Sequence, residues 1–340
     1  MTLLGLRRPR TWIVFAALSA LTLTSCGGGA DPADPSDAAV GLDSAGDGSD
    51  AATDLPLDAT VAVPEAKGSF AFAILTDLHI TDEGEFYQKS VAAVQWLNAH
   101  AAERQIQLVL VLGDIGYGEG VARSRDLLNQ LSMPYVPIIG DNEFHHGDQE
   151  LFDQVFSAND ATVTQFLSHY ERVPAPTTDP DGKVYWFQSV AFDLGGVRFL
   201  GVDTGPRNDG QISGEQGDLH DFPGGTWPWF TQQIQGLGVR PKESVVLFSH
   251  NPLHLFPGGL DVNEMARMNA LVGPVGDLVY GAFGGHYHFD WQDVQKDAGY
   301  ETFVTASPWA GEKVRLRLVT VTGQGDHFAY QHELVDVPFN

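Results

Sequence analysis

Short apolar runs, each followed at once by polar residues, constrain the fold of this chain more than any other feature. The runs have the length of buried β-strands and are Phe70–Thr76, Gln107–Leu112, Tyr135–Ile139, Ser244–Phe248 and Leu278–Phe283. Apolar residues at helical spacing separate the first three, over Phe86–Arg104 and Val121–Leu131. Strands that alternate with helices predict an α/β fold.

The second half of the chain is richer in strand patterns. Val184–Leu194 and Val197–Val202 predict a hairpin around a Gly-Gly pair, and Trp227–Leu237 predicts a helix. Thr302–Thr305 and Val314–Thr322 predict further strands. Polar and charged residues gather just past the carboxyl ends of the predicted strands, which is where open α/β sheets place their sites.

The first residues of the chain predict export and lipidation. A basic stretch, MTLLGLRRPR, precedes the apolar run TWIVFAALSALTL and then LTSC, which ends at Cys26, the one cysteine in the sequence. This order is typical of a secretory signal, and the apolar run is shorter than the roughly 20 residues of a membrane-spanning helix. LTSC resembles the lipobox of bacterial lipoproteins, in which the cysteine is lipidated. We therefore predict a signal peptide over residues 1–25 and a membrane anchor on Cys26. The protein would be exported and attached to the cell envelope, facing the periplasm or on the outer membrane.

Residues 26–67 are rich in Gly, Ala, Asp and Pro and contain no aromatic residue. Such a segment buries too little apolar surface to order itself, so we predict a disordered acidic linker. Residues 68–340 would form the folded domain. The net charge of −25 predicts no nucleic-acid-binding face, because such faces need clustered Lys and Arg. An acidic protein that binds an anionic ligand needs local positive charge, and bound metal ions are one source.

Five short motifs follow the apolar runs: Asp77-Leu-His79, Gly113-Asp114, Gly140-Asp-Asn-Glu143, Ser249-His-Asn251 and Gly285-His-Tyr-His288. In this order they resemble the calcineurin-like metallophosphoesterase family, over roughly residues 70–325. The segment Tyr185–Thr204 is similar to the family's central hairpin. The resemblance implies a four-layer α-β-β-α sandwich, two sheets flanked by helices, with the site at one edge.

The resemblance also implies a dinuclear metal centre that acts on a phosphate-ester substrate. One ion would be held by Asp77, His79, Asp114 and His288, and the other by Asp114, His250, His286 and a ligand from the Gly140 loop. Asp114 would bridge the ions, and the mixture of carboxylate and imidazole suits Mn, Fe, Zn or Co. Two such ions clamp a phosphoryl group, and a metal-bound hydroxide attacks phosphorus. The expected function is hydrolysis of phosphomonoesters or phosphodiesters.

The Gly140 loop departs from the family pattern, which is Gly-Asn-His followed by an acid. Without a gap, Asp141 takes the place of the ligand and Asn142 replaces the catalytic histidine. With one inserted residue, Asn142 is the ligand and His145 or His146 contacts the phosphate. The continuation Glu-Phe-His-His-Gly resembles that of 5′-nucleotidases, which favours the gapless alignment. The catalytic candidates are Asn142 and His145, and both alignments stay open at this point.

Two alternatives to this function follow from the same residues. Gly-Asp-Ile-Gly-Tyr117 is similar to the Gly-Asp-x-x-Tyr motif of purple acid phosphatases, whose tyrosinate binds ferric iron. Those enzymes usually lack the first-motif histidine, here His79, so we predict that Tyr117 packs or hydrogen-bonds near Asp114. A purple-acid-phosphatase-like monoesterase with Tyr117 on iron is the first alternative.

The second alternative is a surface lipoprotein that binds metal, or a partner, without turnover. Buried carboxylates and imidazoles are costly to keep without metal, which argues against a metal-free protein.

The lipid anchor gives a direct prediction. In Cys26→Ser the thiol that would carry the lipid is missing, so this variant is expected to incorporate no labelled palmitate and to leave the membrane fraction. Ser25→Ala keeps the thiol and serves as the control, with labelling like the unmodified chain. Equal labelling of the Cys26→Ser form would contradict the lipobox interpretation.

Overall fold

The computed structural model describes residues 68–207, 216–238, 244–255, 258–308, 313–324 and 327–339. The predicted signal peptide, Cys26 and the predicted linker lie outside these ranges, so the proposed division of the chain stays a prediction. Within the described ranges, no helix combines the length and the apolar character that a membrane crossing requires.

The first sheet is built on a β-α-β-α-β unit, as the apolar runs predict. Strands β1 (Ser69–Leu75), β2 (Ile106–Leu112) and β3 (Tyr135–Ile138) are parallel neighbours. Helices α1 (Glu85–Arg104) and α2 (Glu119–Leu128) connect them. Parallel neighbours need such crossovers, and the crossovers bring the three carboxyl ends to one edge of the sheet.

Four further elements complete the first half of the sandwich. Strands β13 (Val314–Gln324) and β14 (His327–Val337) extend the sheet antiparallel, in the order β14-β13-β1-β2-β3. Helices α3 (Asp141–His145) and α4 (Gln149–Val163) follow β3. The sequence patterns predicted neither of these helices, and they predicted β13 but not β14.

The second sheet has seven strands in the part of the chain that the structure describes. They are β4 (Ser168–Arg172), β7 (Val190–Leu194), β8 (Val197–Gly201), β9 (Val245–Phe248), β10 (Val279–Gly284), β11 (Trp291–Gln295) and β12 (Tyr300–Val304). Their order in the sheet is β11-β12-β10-β9-β8-β7-β4. Strands β8, β9, β10 and β12 are parallel. Helices α5 (Thr226–Gln235) and α6 (Val262–Val272) and a 3₁₀ helix (Gly273–Leu278) accompany this sheet.

The predicted strand Val184–Leu194 is wrong in its first half. Strand β6 (Val184–Tyr185) leaves the sandwich and pairs with β5 (Thr177–Thr178) in a two-stranded ribbon. Only β7 and β8 form the expected hairpin. The break has a tertiary cause, because the backbone N–H of Gln188 donates to the carboxylate of Asp203, beyond β8, at 2.8 Å rather than to a neighbouring strand.

The two sheets pack face to face, with helices on both outer sides. In β1, Phe72 points between the sheets and meets the ring edges of Phe199 at 5.2 Å and Phe283 at 5.8 Å between centroids. Its neighbour Ala73 faces the other way, into the core formed with α1, α2 and α4. Leu247 of β9 likewise faces α5 and α6. The predicted four-layer α-β-β-α sandwich is confirmed.

A close approach between α2 and the loop after β1 gives a stability prediction. A methyl group at Gly120 would lie 1.8 Å from the Ile80 carbonyl oxygen, and backbone atoms there cannot move aside cheaply. Gly120→Ala is therefore expected to lower the free energy of unfolding in urea by about 1–3 kcal/mol. Gly236→Ala is the control, because the nearest atom to its methyl group lies at 3.4 Å. Equal losses in the two variants would show that the close approach is not the cause.

Candidate metal centre

The five motifs meet at one edge of the sandwich because five parallel strands end there. The loops after β1, β2 and β3 come from the first sheet, and those after β9 and β10 come from the second. The carboxyl ends of parallel strands are where α/β sheets place their sites. Here the two sheets contribute to a single cluster of side chains.

The side chains form two groups, and within each group the ligand atoms all lie within 4.8 Å of one another. The first ligand group comprises Asp77, His79, Asp114 and His288, and the second comprises Asp141, His250 and His286. The six residues predicted as ligands from the motifs are thus brought together, with Asp141 as a seventh. Tyr117, Asn142 and His145 lie around them.

Asp114 stands between the two groups. Its Oδ1 lies 3.4 Å from His250 Nε2, in the second group. Its Oδ2 lies 3.9 Å from His79 Nε2, in the first group. A carboxylate that presents one oxygen to each group has the placement that a bridging ligand needs.

Hydrogen bonds at the outer nitrogens turn two of the imidazoles toward the cluster. His250 Nδ1 donates to the Leu112 carbonyl at 2.8 Å, which leaves Nε2 facing Asp141 at 2.7 Å. The Nδ1 of His79 meets the Tyr117 hydroxyl, and its Nε2 faces His288 Nε2 at 3.0 Å. Metal-binding histidines are typically oriented in this way by a partner on the second ring nitrogen.

The chemistry of the donor set fits two cations. Two pairs of ring nitrogens face each other, at 3.0 Å in the first group and 3.3 Å between His250 and His286 in the second. When both facing nitrogens are deprotonated, as metal ligation requires, two lone pairs this close repel each other. A cation placed between the lone pairs turns that repulsion into attraction. Imidazole with carboxylate is the mixture that transition metals and zinc prefer.

The pKa shifts reflect a buried cluster with excess negative charge. Burial raises the pKa of Asp114, and the nearby Asp141 carboxylate adds to the rise. Burial opposes a charged His250, but the Asp114 and Asp141 carboxylates hold its pKa well above the usual range. Burial would also raise the pKa of Asp77, but the hydrogen bond with His288 lowers it. Positive charge at His250 is therefore stabilised.

The ligand residues carry unusual backbone conformations. Positive φ angles occur at Asp77 (53°), His79 (48°), Asp114 (49°), His286 (70°) and His288 (59°). Each left-handed non-glycine residue costs on the order of 1–3 kcal/mol, and such strain gathers at functional sites. The sequence motifs do not predict these backbone conformations. The one available signal was residue type, because Asp and His are enriched in the left-handed region.

The Gly140 loop places Asp141 at the second ligand group. Asp141 Oδ1 lies 2.7 Å from His250 Nε2 and 2.9 Å from His286 Nδ1. Asn142 instead donates to Asp114, from its side-chain amide at 2.5 Å and from its backbone N–H at 2.9 Å. This placement agrees with the gapless alignment. His145 lies beside the cluster, with Nδ1 3.7 Å from Asp141 Oδ2 and a side chain 37% exposed.

Glu143 has a structural function that the sequence analysis missed. Its buried carboxylate accepts N–H bonds from Asp114 (3.1 Å), Ile115 (2.6 Å), Gly116 (3.1 Å) and Gly140 (2.8 Å). Burial raises its pKa to about 8, with a contribution from Asp114, against the opposing effect of the backbone donors. The side chain ties the loop after β2 to the loop after β3. One sequence signal could have indicated this function of Glu143. It is an acidic residue at the third position of a helix, counted from the residue that precedes the helix.

Tyr117 contacts a candidate ligand rather than Asp114 itself. Its hydroxyl meets His79 Nδ1, and its ring stacks on His146 with centroids 4.5 Å apart. Burial raises the pKa of Tyr117 further above its ordinary value, and the Asp114 carboxylate adds to the effect. Burial and the neighbouring carboxylates therefore disfavour the ionised form of Tyr117.

Comparison with known proteins agrees with the motifs and with the fold. The model of the calcineurin-like phosphoesterases matches residues 70–290. A dimetal phosphatase from Danio rerio is 14% identical with a TM-score of 0.54, over 80% of this chain and 99% of that one. A protein assigned as a 5′-nucleotidase from Staphylococcus aureus is 13% identical with a TM-score of 0.46, over 80% of this chain and 55% of that one. The protein TT1561 of Thermus thermophilus is 9% identical with a TM-score of 0.44, over 79% and 99%. No curated protein sequence matches the chain.

The position of Asp114 predicts different metal losses for two matched variants. Asp114→Asn removes the carboxylate that faces both groups, so both ions are expected to be lost. Asp141→Asn removes a carboxylate from the second group alone, so one ion per chain is expected to remain. Metal content measured by mass spectrometry distinguishes the two, with Asp218→Asn as a control outside the cluster. Retention of both ions in Asp114→Asn would contradict the bridging assignment.

Proposed function

The chain belongs to the calcineurin-like phosphoesterase family, and from this premise we propose that it hydrolyses phosphomonoesters or phosphodiesters at a two-ion centre. The observation that carries the proposal is Asp114, whose two oxygens face the two ligand groups. Two bound ions supply the charge that polarises a phosphoryl group and the acidity that activates a water. The residues of the chain hold those ions and orient the substrate.

The proposed ligand set follows the two groups. Asp77, His79 and His288 would hold one ion together with Asp114, and Asp141, His250 and His286 would hold the other, also with Asp114. The set combines imidazole with carboxylate, so Mn, Fe, Zn or Co suits it better than Ca or Mg. Asp141 rather than Asn142 is the proposed ligand, because its Oδ1 lies 2.7 Å and 2.9 Å from the two histidines of the second group.

Asn142 and His145 are the proposed substrate-contacting residues. The amide of Asn142 can donate a hydrogen bond to a phosphoryl oxygen, but an amide does not supply a proton near neutral pH. His145 is a partly exposed imidazole at the rim of the cluster, and an imidazole can protonate a leaving oxygen. We therefore assign orientation of the phosphoryl group to Asn142 and proton donation to His145.

The position of Tyr117 favours a supporting function over iron binding. Its hydroxyl lies at Nδ1 of His79, while Nε2 of the same ring faces Asp114 and His288. In this arrangement the phenol hydrogen-bonds the outer nitrogen of a proposed ligand, which is how second partners fix imidazole orientation. The purple-acid-phosphatase-like alternative would need the phenol on the inner side of that ring.

The proposed place of action is outside the cytoplasm. LTSC ends at Cys26, the one cysteine of the sequence, and an acidic Gly/Ala/Asp/Pro-rich segment follows it. A lipid on Cys26 would anchor the chain to the cell envelope, with residues 26–67 as the tether to the domain.

Metal analysis combined with two substrates tests the proposal. The purified chain is expected to bind two ions and to hydrolyse p-nitrophenyl phosphate, bis-p-nitrophenyl phosphate or both, with Mn, Fe, Zn and Co each tested. Chelation is expected to abolish turnover, and addition of metal to restore it. Metal binding without turnover on either ester would favour the non-catalytic alternative. A visible charge-transfer band that disappears in Tyr117→Phe would favour the iron-tyrosinate alternative.

A further inference from the structure

An exposed aromatic side chain stands next to the first ligand group without contributing to the core. Phe289 directly follows His288 in the chain and is 47% exposed, among the most exposed large apolar side chains in the described ranges. The ring of Tyr287 stacks on one face of the Phe289 ring, with centroids 5.6 Å apart and planes 15° apart.

The two rings adjoin the second ligand group. The ring of Tyr287 is 5.5 Å from the ring of His286, a member of the second ligand group. Phe289 is the next ring after Tyr287, with its centroid 5.6 Å from that of Tyr287. Its backbone is one peptide unit, about 3.8 Å between Cα atoms, from that of His288. The Phe289 ring is thus two ring contacts from His286, and the group esterified to a phosphate at the centre is the part of a substrate that could reach it.

The segment that carries these rings is fixed at both ends. At its start, the backbone N–H of His286 donates to the Asp77 carboxylate, with both oxygens at 3.1 Å. At its end, the Asp290 carboxylate accepts from the Ala306 N–H at 3.0 Å and from Arg315 at 2.6 Å. A ring held on such a segment loses little conformational freedom when a ligand binds, which favours recognition.

We propose that Phe289, supported by Tyr287, is a specificity-determining residue that stacks against a planar aromatic ring in the leaving group of the substrate. This inference rests on the proposed phosphoesterase function and deepens it. Stacked aromatic pairs contribute beyond simple burial of apolar area. A saturated ring of the same size lacks that contribution. Phe289 should therefore favour an ester with an aromatic ring over an ester with a saturated ring.

Benzyl phosphate and cyclohexylmethyl phosphate form a matched pair, because both release a primary alcohol and differ in the aromaticity of the ring. Phe289→Leu keeps an apolar side chain and removes the aromatic face. For the full chain loaded with metal, this variant is expected to lower kcat/KM about fivefold on benzyl phosphate, chiefly through KM, within the range that aromatic pairing supports. The change on cyclohexylmethyl phosphate is expected to stay within about twofold.

Two further variants separate stacking from a structural effect. Phe289→Trp keeps an aromatic face and is expected to restore the preference for benzyl phosphate. Leu334→Ala changes another exposed apolar side chain, 43% exposed on β14, and is expected to leave both esters unaffected. An equal loss on both esters in Phe289→Leu, or no loss on either, would overturn the proposal.

Binding of benzylphosphonate and cyclohexylmethylphosphonate distinguishes this inference from the proposed function. Neither compound contains a bond that the enzyme could hydrolyse, so calorimetric titration of the metal-loaded chain measures recognition alone. Tighter binding of the benzyl compound, lost in Phe289→Leu, supports the stacking residue even if no ester is turned over. Equal affinity of benzylphosphonate for the unmodified chain and for Phe289→Leu would reject the stacking residue even if ester hydrolysis is found.

Discussion

The arrangement of this molecule depends on one carboxylate, that of Asp114. It lies at the carboxyl end of β2, buried, with one oxygen toward each ligand group. The contacts around it keep it there. Asn142 donates to both of its oxygens, and Glu143 accepts the N–H of Asp114 itself. Through this residue one carboxylate faces both ligand groups.

Such a cluster is unfavourable in the absence of surrounding structure, since it combines buried charge with strained backbone. Five ligand residues have positive φ angles, at a cost on the order of 1–3 kcal/mol each. Packing between the sheets offsets this cost, because interlocking rings such as Phe72, Phe199 and Phe283 hold the strand ends in one relative position. Cations would remove the remaining electrostatic cost, which is why the proposed function and the stability of the fold are linked.

The sequence patterns predicted the strands that end at the site and missed elements that lie away from it. Strands β1, β2, β9 and β10 are continuous apolar runs because both of their faces are covered. Strand β14 lies at a sheet edge with one face largely exposed, so its pattern is weak. Helix α4 has few buried positions in a mostly polar segment. The break within Val184–Leu194 was unpredictable because its cause, the Asp203 carboxylate, comes from a distant loop.

The sequence by itself determined which residue types stand at each strand end, and thereby the family, the α/β architecture and the six predicted ligands. Tertiary structure decided everything that depends on distance between segments. It brought Asp114 to His250, placed Asp141 rather than Asn142 beside two histidines, and turned Tyr117 toward His79. It also left Phe289 exposed beside the Tyr287 ring. The physical reason is that strand patterns report local burial, whereas a ligand's partners are set by how two sheets pack.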